Sequence, residues 1–240
     1  MMLGATGRSG APALILGVGN ILWADEGFGV RCVEQLCATA ALSDGVEIMD
    51  GGTQGLALVN TLADAQRVLL FDAVDVGAVP ASLHVVRGDD VPRFVAGKKV
   101  SLHQTSMMEV LALAEFMAGT PPQAITLIGC QPVELEDYGG GLTPLVAARV
   151  AEAVALGIAE LATWGLPTTR RLRTTADDLG GLMPAAVAQE PYERDRPSAQ
   201  TACRFGDERV LARTPAQPAS PPPPAGPAGV PVAPAPQAAE

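Results

Sequence analysis

The chain lacks most of what would tie it to a membrane, to nucleic acid or to a familiar hydrolase. No apolar run reaches the roughly 18 residues that span a bilayer. The Gly/Ala/Ser-rich start over 1–11 leads into an apolar run too short for the h-region of a signal peptide, so a cytoplasmic protein is expected. Basic residues are in deficit: 16 Lys and Arg face 26 Asp and Glu, for a net charge of −10. The excess is concentrated before residue 166, where 18 acidic side chains meet 8 basic ones. Nucleic-acid binding needs a basic footprint, and this chain has the opposite. Four cysteines, Cys32, Cys37, Cys130 and Cys203, show no C-x-x-C spacing and make no zinc site. Cys32 and Cys130 lie in apolar stretches and read as buried thiols. There is no H-E-x-x-H helix, no G-x-S-x-G elbow and no G-x-x-x-x-G-K-[ST] loop.

What is present suffices for one substantial domain with an appendage: 240 residues, 48% of them apolar. Residues 13–18 read as a buried strand, followed by a helix over about 25–38. Strands are expected at 46–49, 68–71, 83–86 and 125–130, with a short helix from Thr53 to about Leu62. The run Val68-Leu69-Leu70-Phe71 is continuously apolar, as in a strand covered on both faces. Ser106 and Glu109 have capping-box spacing before a helix that Gly119 and Pro121-Pro122 stop. A last helix opens at Thr143-Pro144 and runs to about Trp164, with Val146, Val150, Val154 and Leu161 on one face and Arg149, Glu152 and Glu160 elsewhere. Strands alternating with helices predict a three-layer α/β sandwich: a mostly parallel, twisted, five-stranded sheet with helices on both faces. The expected organisation is a flexible N-terminus over 1–12, the α/β domain over 13–166, a poorly structured extension over 167–214 with a short helix near Leu182–Ala188, and a disordered Pro-rich tail over 215–240.

The first strand runs through Gly17-Val18-Gly19 to the acidic pair Asp25-Glu26. Two readings compete there, a nucleotide phosphate turn and an acidic metal-ligand loop. A dinucleotide fingerprint wants G-x-G-x-x-G, but Leu22 occupies the third glycine position, and two carboxylates at a helix start repel phosphate. Glu26 after the first strand, Asp72 ending the third and His103 before the capped helix offer polar groups to one sheet edge. Two carboxylates and an imidazole suit a borderline divalent metal. A helix N-terminus beside His103 favours its neutral, ligating form. Each residue also has a bland reading: Glu26 complementing a helix dipole, Asp72 capping a turn, His103 satisfying local backbone groups. His84 alternates within a strand and reads as structural. Asp50-Gly51-Gly52-Thr53 lacks the D-[ST]-G pattern of an aspartic protease, and its paired glycines suggest a mobile, close-approach loop.

Taken together, five ordered motifs resemble the nickel–iron hydrogenase maturation endopeptidases. They are Gly17-Val18-Gly19-Asn20-Ile21-Leu22 with Asp25-Glu26-Gly27 and Gly29-Val30; Asp50-Gly51-Gly52-Thr53; Asp72-Ala73; Ser101-Leu102-His103-Gln104; and Gly129-Cys130-Gln131-Pro132. The resemblance covers roughly residues 13–164, and the chain after Leu166 falls outside it. It implies an endopeptidase that removes a short C-terminal peptide from the nickel-loaded precursor of the hydrogenase large subunit. Glu26, Asp72 and His103 match the family's metal-contacting positions, with Glu26 and Asp72 orienting metal and water. The metal is the nickel of the substrate, and no tightly bound resident cofactor is expected. The 50–53 loop is the candidate to flank the incoming peptide. Rival readings are a nucleotide-binding α/β enzyme and a non-catalytic factor that only grips the precursor.

Overall fold

A computed structural model describes residues 11–96, 107–171 and 182–196, all within one unit spanning 1–197. The chain runs β1 (Ala13–Val18), α1 (Phe28–Thr39), β2 (Ala40–Ala41), β3 (Val46–Gly52), α2 (Val59–Asp64), β4 (Arg67–Ala73), β5 (Leu83–Arg87), α3 (Asp90–Ala96), α4 (Met107–Ala118), β6 (Ala124–Cys130), α5 (Pro144–Thr163), β7 (Thr169–Arg170) and α6 (Gln189–Arg194). Three-residue-per-turn helices at Ala24–Gly27 and Gly55–Leu58 lead into α1 and α2, and a third spans Ala185–Val187.

The main sheet has the order β3-β1-β4-β6-β5, with β5 antiparallel to β6 and the other pairs parallel. This is the expected α/β architecture, with one strand reversed at the edge. Strand alternation splits the core in two. Ala13 and Ile15 of β1, with Leu69 and Phe71 of β4, face α1 and α5, where Phe28, Leu36, Val150 and Leu161 meet them. Leu14 and Leu16, with Val68 and Leu70, face the other way, onto α2, α3 and α4 through Leu62, Val91 and Val110. Every one of these side chains is at most 3% exposed, so both faces of the central strands are dry. That explains the continuous apolar reading of β1 and β4.

Leaving β1, the chain first visits β3 on one side and then returns to β4 on the other. The topological switch point therefore lies at the carboxyl ends of β1 and its neighbours, where open α/β sheets place their ligand crevices. Two differences from expectation bear on that edge. The segment 24–27 is a tight turn preceding α1 rather than its first turn, so Glu26 stands ahead of the helix. Thr53 lies outside the short helix it was expected to open, which begins at Gly55 as a tight turn and continues as α2.

Of the extension expected to be poorly structured over 167–214, residues 167–171 and 182–196 are described, and both carry secondary structure. β7 pairs antiparallel with β2. Residues 182–196 form an arm whose Met183 is 4% exposed and whose Leu182 packs on the α1–α5 core. A buried polar pair on α1 holds this arm. The Arg31 guanidinium donates to Glu34 Oε2 at 2.8 Å and to the Val187 carbonyl at 2.9 Å, and the Gln189 N–H donates to Glu34 Oε1 at 2.7 Å. Arg31 also lies over the Tyr192 ring at 5.4 Å. The Pro-rich tail and the N-terminal residues 1–10 lie outside the described residues.

Candidate functional site

Register places the candidate residues at one edge. Gly17 of β1 sits between Asp50 of β3 and Phe71 of β4, and Asp72 pairs with Gly129 of β6. Asp50, Gly51 and Gly52 end β3, and Asp72 is the penultimate residue of β4, 2% exposed. Glu26 reaches the same edge from the turn after β1 and is half-buried. Glu26, Asp72 and the 50–52 segment thus share the carboxyl edge around the switch point. His103, and with it the Ser101–Gln104 motif and the Ser106 cap, lies outside the described residues. Among the described residues no three His, Cys, Asp or Glu side chains form a metal-binding group.

Close backbone approach brings Glu26 there. Gly29 lies against the carbonyls of Phe71 and Val18, so that any Cβ would strike both strands, and α1 starts directly on the ends of β1 and β4. Gly19 has φ +133 and its missing side chain would overlap the Glu26 carbonyl. That closeness lets the Asn20 N–H reach the same carbonyl at 3.2 Å. Ala24, immediately before the acidic pair, holds φ 42, a left-handed backbone that alanine adopts only under constraint.

The next residue, Asp25, was read from sequence only as part of the acidic pair, and its carboxylate accepts four hydrogen bonds. Asp25 is fully buried. Its Oδ2 accepts the N–H groups of Val133 at 2.9 Å and Glu134 at 3.0 Å, and the Thr143 hydroxyl at 3.0 Å. Its Oδ1 accepts the Thr143 N–H at 2.7 Å. Thr143 is the N-cap residue expected for α5, with Pro144 following, but its hydroxyl serves Asp25 rather than the helix. Backbone bonds from Ala24 to Gly140, Asp25 to Glu134 and Gly139 to Leu22 complete the strap. Outside it, Trp23 and Tyr138 meet edge to face at 5.1 Å.

The Asp50 loop is tied as well. Asp50 Oδ1 accepts the Gly52 N–H at 2.9 Å, and the Gly52 carbonyl accepts the Gly19 N–H at 3.0 Å. Gly51 is a close approach, since a Cβ there would press on the Leu16 side chain. Burial pushes the Asp50 carboxyl above its ordinary range, with the Gly52 N–H working against it. Thr53 is exposed.

Gln131 is the other polar residue of this edge that the sequence reading passed over, although its motif was noticed. It is 6% exposed; its Oε1 accepts the Val76 and Ala78 N–H groups at 3.0 Å each, and its Nε2 donates to Asp75 Oδ1 at 3.0 Å. The readings of the remaining candidates agree with their surroundings. His84 pairs with the Ser82 hydroxyl at 3.0 Å and stands against Phe94 at 5.6 Å. Cys32 and Cys130 are both fully buried. Burial pushes the Cys130 thiol up to about 12, unsuited to a nucleophile.

Residues 30–160 match the family model for hydrogenase maturation proteases. The chain is 51% identical over 198 residues to a hydrogenase expression/formation protein, HupD, of Rhodobacter capsulatus, covering 82% of this chain and 92% of the relative. Among solved structures, the hydrogenase-maturating endopeptidase HybD of Escherichia coli superposes with a TM-score of 0.62 at 38% identity, covering 66% of this chain and 97% of that one. The [NiFe] hydrogenase maturation protease HycI of Thermococcus kodakarensis gives a TM-score of 0.51 at 25% identity, over 66% of this chain and 95% of its own. With the sheet order, the edge that gathers Glu26, Asp50 and Asp72, and these relatives in hand, the chain belongs to the hydrogenase maturation protease family.

Proposed function

We propose that this protein is an endopeptidase that cuts a short C-terminal peptide from the nickel-loaded precursor of a hydrogenase large subunit in the cytoplasm. The observation that carries the reading is the placement of Glu26 and Asp72 at one carboxyl edge, from the turn and the strand that flank the switch point. In the proposal these two carboxylates and His103 contact the nickel, which arrives with the substrate and is not a resident cofactor. Hard oxygen and imidazole donors suit a borderline divalent ion whose remaining ligands the precursor supplies. Anchoring the metal holds the adjacent scissile amide beside the carboxylates, a proximity effect, while water adds across the bond to give a new carboxylate and a new amine. The segment Asp50-Gly51-Gly52, half-buried at its two ends and buried at Gly51, borders this edge with Thr53 beyond it and is proposed to flank the peptide.

Processing of a nickel-loaded precursor by Glu26→Gln and Asp72→Asn tests the assignment. Each substitution is expected to lower kcat at least about 100-fold, the scale of one lost transition-state electrostatic contact. Either variant processing at the wild-type rate removes that residue from the proposal.

A further inference from the structure

The motif Gly129-Cys130-Gln131-Pro132 and the first residue of the Asp25-Glu26 pair have no part in the proposed metal contacts. Both nevertheless lie on one device. The connection from β6 to α5, residues 131–143, carries polar groups at its two ends that grip the two segments bearing the candidate carboxylates. At the start, the Gln131 amide holds the N–H groups of Val76 and Ala78 and the Asp75 carboxylate. The chain there has just left Asp72, and the Val74 N–H bonds the Cys130 carbonyl at 2.9 Å. Two and three residues after Gln131, the Val133 and Glu134 N–H groups donate to the Asp25 carboxylate, and from the far end of the connection Thr143 adds its N–H and hydroxyl, four donors in all, one peptide unit from Glu26. One connection therefore bonds both of the segments that neighbour the two carboxylates.

We infer that Asp25 and Gln131 are positioning residues for the reaction, fixing the separation and aim of Glu26 and Asp72 through the 131–143 connection. The inference rests on the proposed role of those two carboxylates. A fully buried carboxylate with four donors could serve stability alone. Three features argue for positioning instead. The donors to Asp25 come from a different sheet connection, not from its own turn. The neighbouring Ala24 is held in a left-handed backbone. Gln131 makes the equivalent grip on the segment after Asp72 rather than on the core.

The test measures kcat, KM and melting temperature for full-length wild type, Glu26→Gln, Asp25→Asn, Gln131→Leu and Thr143→Val, using nickel-loaded precursor. In Asp25→Asn an amide NH2 must face backbone donors, and in Gln131→Leu the Val76 and Ala78 N–H groups lose their acceptor. Both are expected to lower kcat per folded molecule about 100-fold, the cost of a displacement near 1 Å, and to raise KM as the nickel contacts shift. Thr143→Val removes only one donor, and since that hydroxyl does not cap α5 it leaves the helix start intact; a decrease of about three- to tenfold is expected. A structural role lowers the melting temperature and leaves kcat per folded molecule unchanged, and that result in Asp25→Asn and Gln131→Leu overturns the inference. If those two do not fold, an unchanged kcat in Thr143→Val overturns it for Asp25. A wild-type rate in Glu26→Gln instead condemns the underlying metal-contact reading, so the two failures are distinct.

Discussion

Replacing Arg31 by methionine should detach the 182–196 arm and cost about 3 kcal/mol, at the lower end of what breaking a buried ion pair costs. Arg31 is 3% exposed and its Glu34 partner's side chain 11%, so either charge left alone has little access to water. In the single variant, Glu34 retains only the Gln189 N–H among its bonds described above, and the arm loses the guanidinium that held the Val187 carbonyl and the Tyr192 ring. Glu34→Leu strands the guanidinium and should cost a similar amount. The double variant removes both charges together. What it loses is chiefly the anchoring of Val187 and Gln189, both half-buried and able to take water in exchange. It should therefore cost about 3 kcal/mol rather than about 6, a coupling of about 3 kcal/mol that is the upper end for residues in direct contact. Urea unfolding of the four proteins measures the cycle, and limited proteolysis reports whether the arm is cut within 182–196 in the variants and protected in the wild type. Additive single costs, or an arm equally protected in all four, would refute the claim that this pair docks the arm.

Three further outcomes follow from the same packing. Glu160 is buried on α5, where Arg87 donates at 2.8 Å and Thr126 at 2.8 Å; the Arg87 guanidinium in particular holds its carboxyl below the usual range. Because a lowered pKa stabilises above the unfolded value and is lost as pH falls through the folded one, Glu160→Gln should cost about 1 kcal/mol at pH 7, discounted because Arg87 is largely exposed, and the gap should close in strong acid; an equal gap in thermal melts at both pH values contradicts this. Gly29→Ala drives a Cβ into the Phe71 and Val18 carbonyls, and since neither strand can yield it should cost about 3 kcal/mol or more in chemical denaturation, or prevent folding; a wild-type midpoint refutes the close approach. Asp50 has the opposite sign to Glu160: burial raises its carboxyl, so its contribution is present below the ordinary carboxylate pKa and lost as pH rises through the folded one. Asp50→Asn, which keeps an acceptor for the Gly52 N–H, should then melt above the wild type at pH 7, and a lower melting temperature counts against that account.

The central strands were legible because burial on both faces leaves little but apolar residues; β1 spans the expected 13–18, and β4 extends the expected 68–71 by one residue before and two after. The long helices were legible from their stops and apolar faces, and Val146, Val150, Val154 and Leu161 are all buried as read. What escaped depends on partners distant in sequence. Glu160 reads only as lying off the apolar face of its helix until the edge strand β5 brings Arg87 over it. Two-residue strands such as β2 and β7 carry no periodic signal. α3 and α6 are short helices that were not expected, and Pro92 and Pro191 sit in their first turns, where proline lacks only an N–H the helix does not use. At the site, local motif order pointed to Glu26, Asp50 and Asp72. The grip of Asp25 on Thr143, 118 residues away, is a property of the folded chain.

In the proposed activity this chain cuts a hydrogenase large-subunit precursor only after reading the substrate's nickel. Incubating the purified full-length protein with nickel-loaded and nickel-free precursor, and weighing the products by mass spectrometry, tests it most directly. Loss of a single C-terminal peptide from the loaded form alone is the expected result. Cleavage of both forms would contradict the role given to nickel, and cleavage of neither would contradict the proposed activity itself.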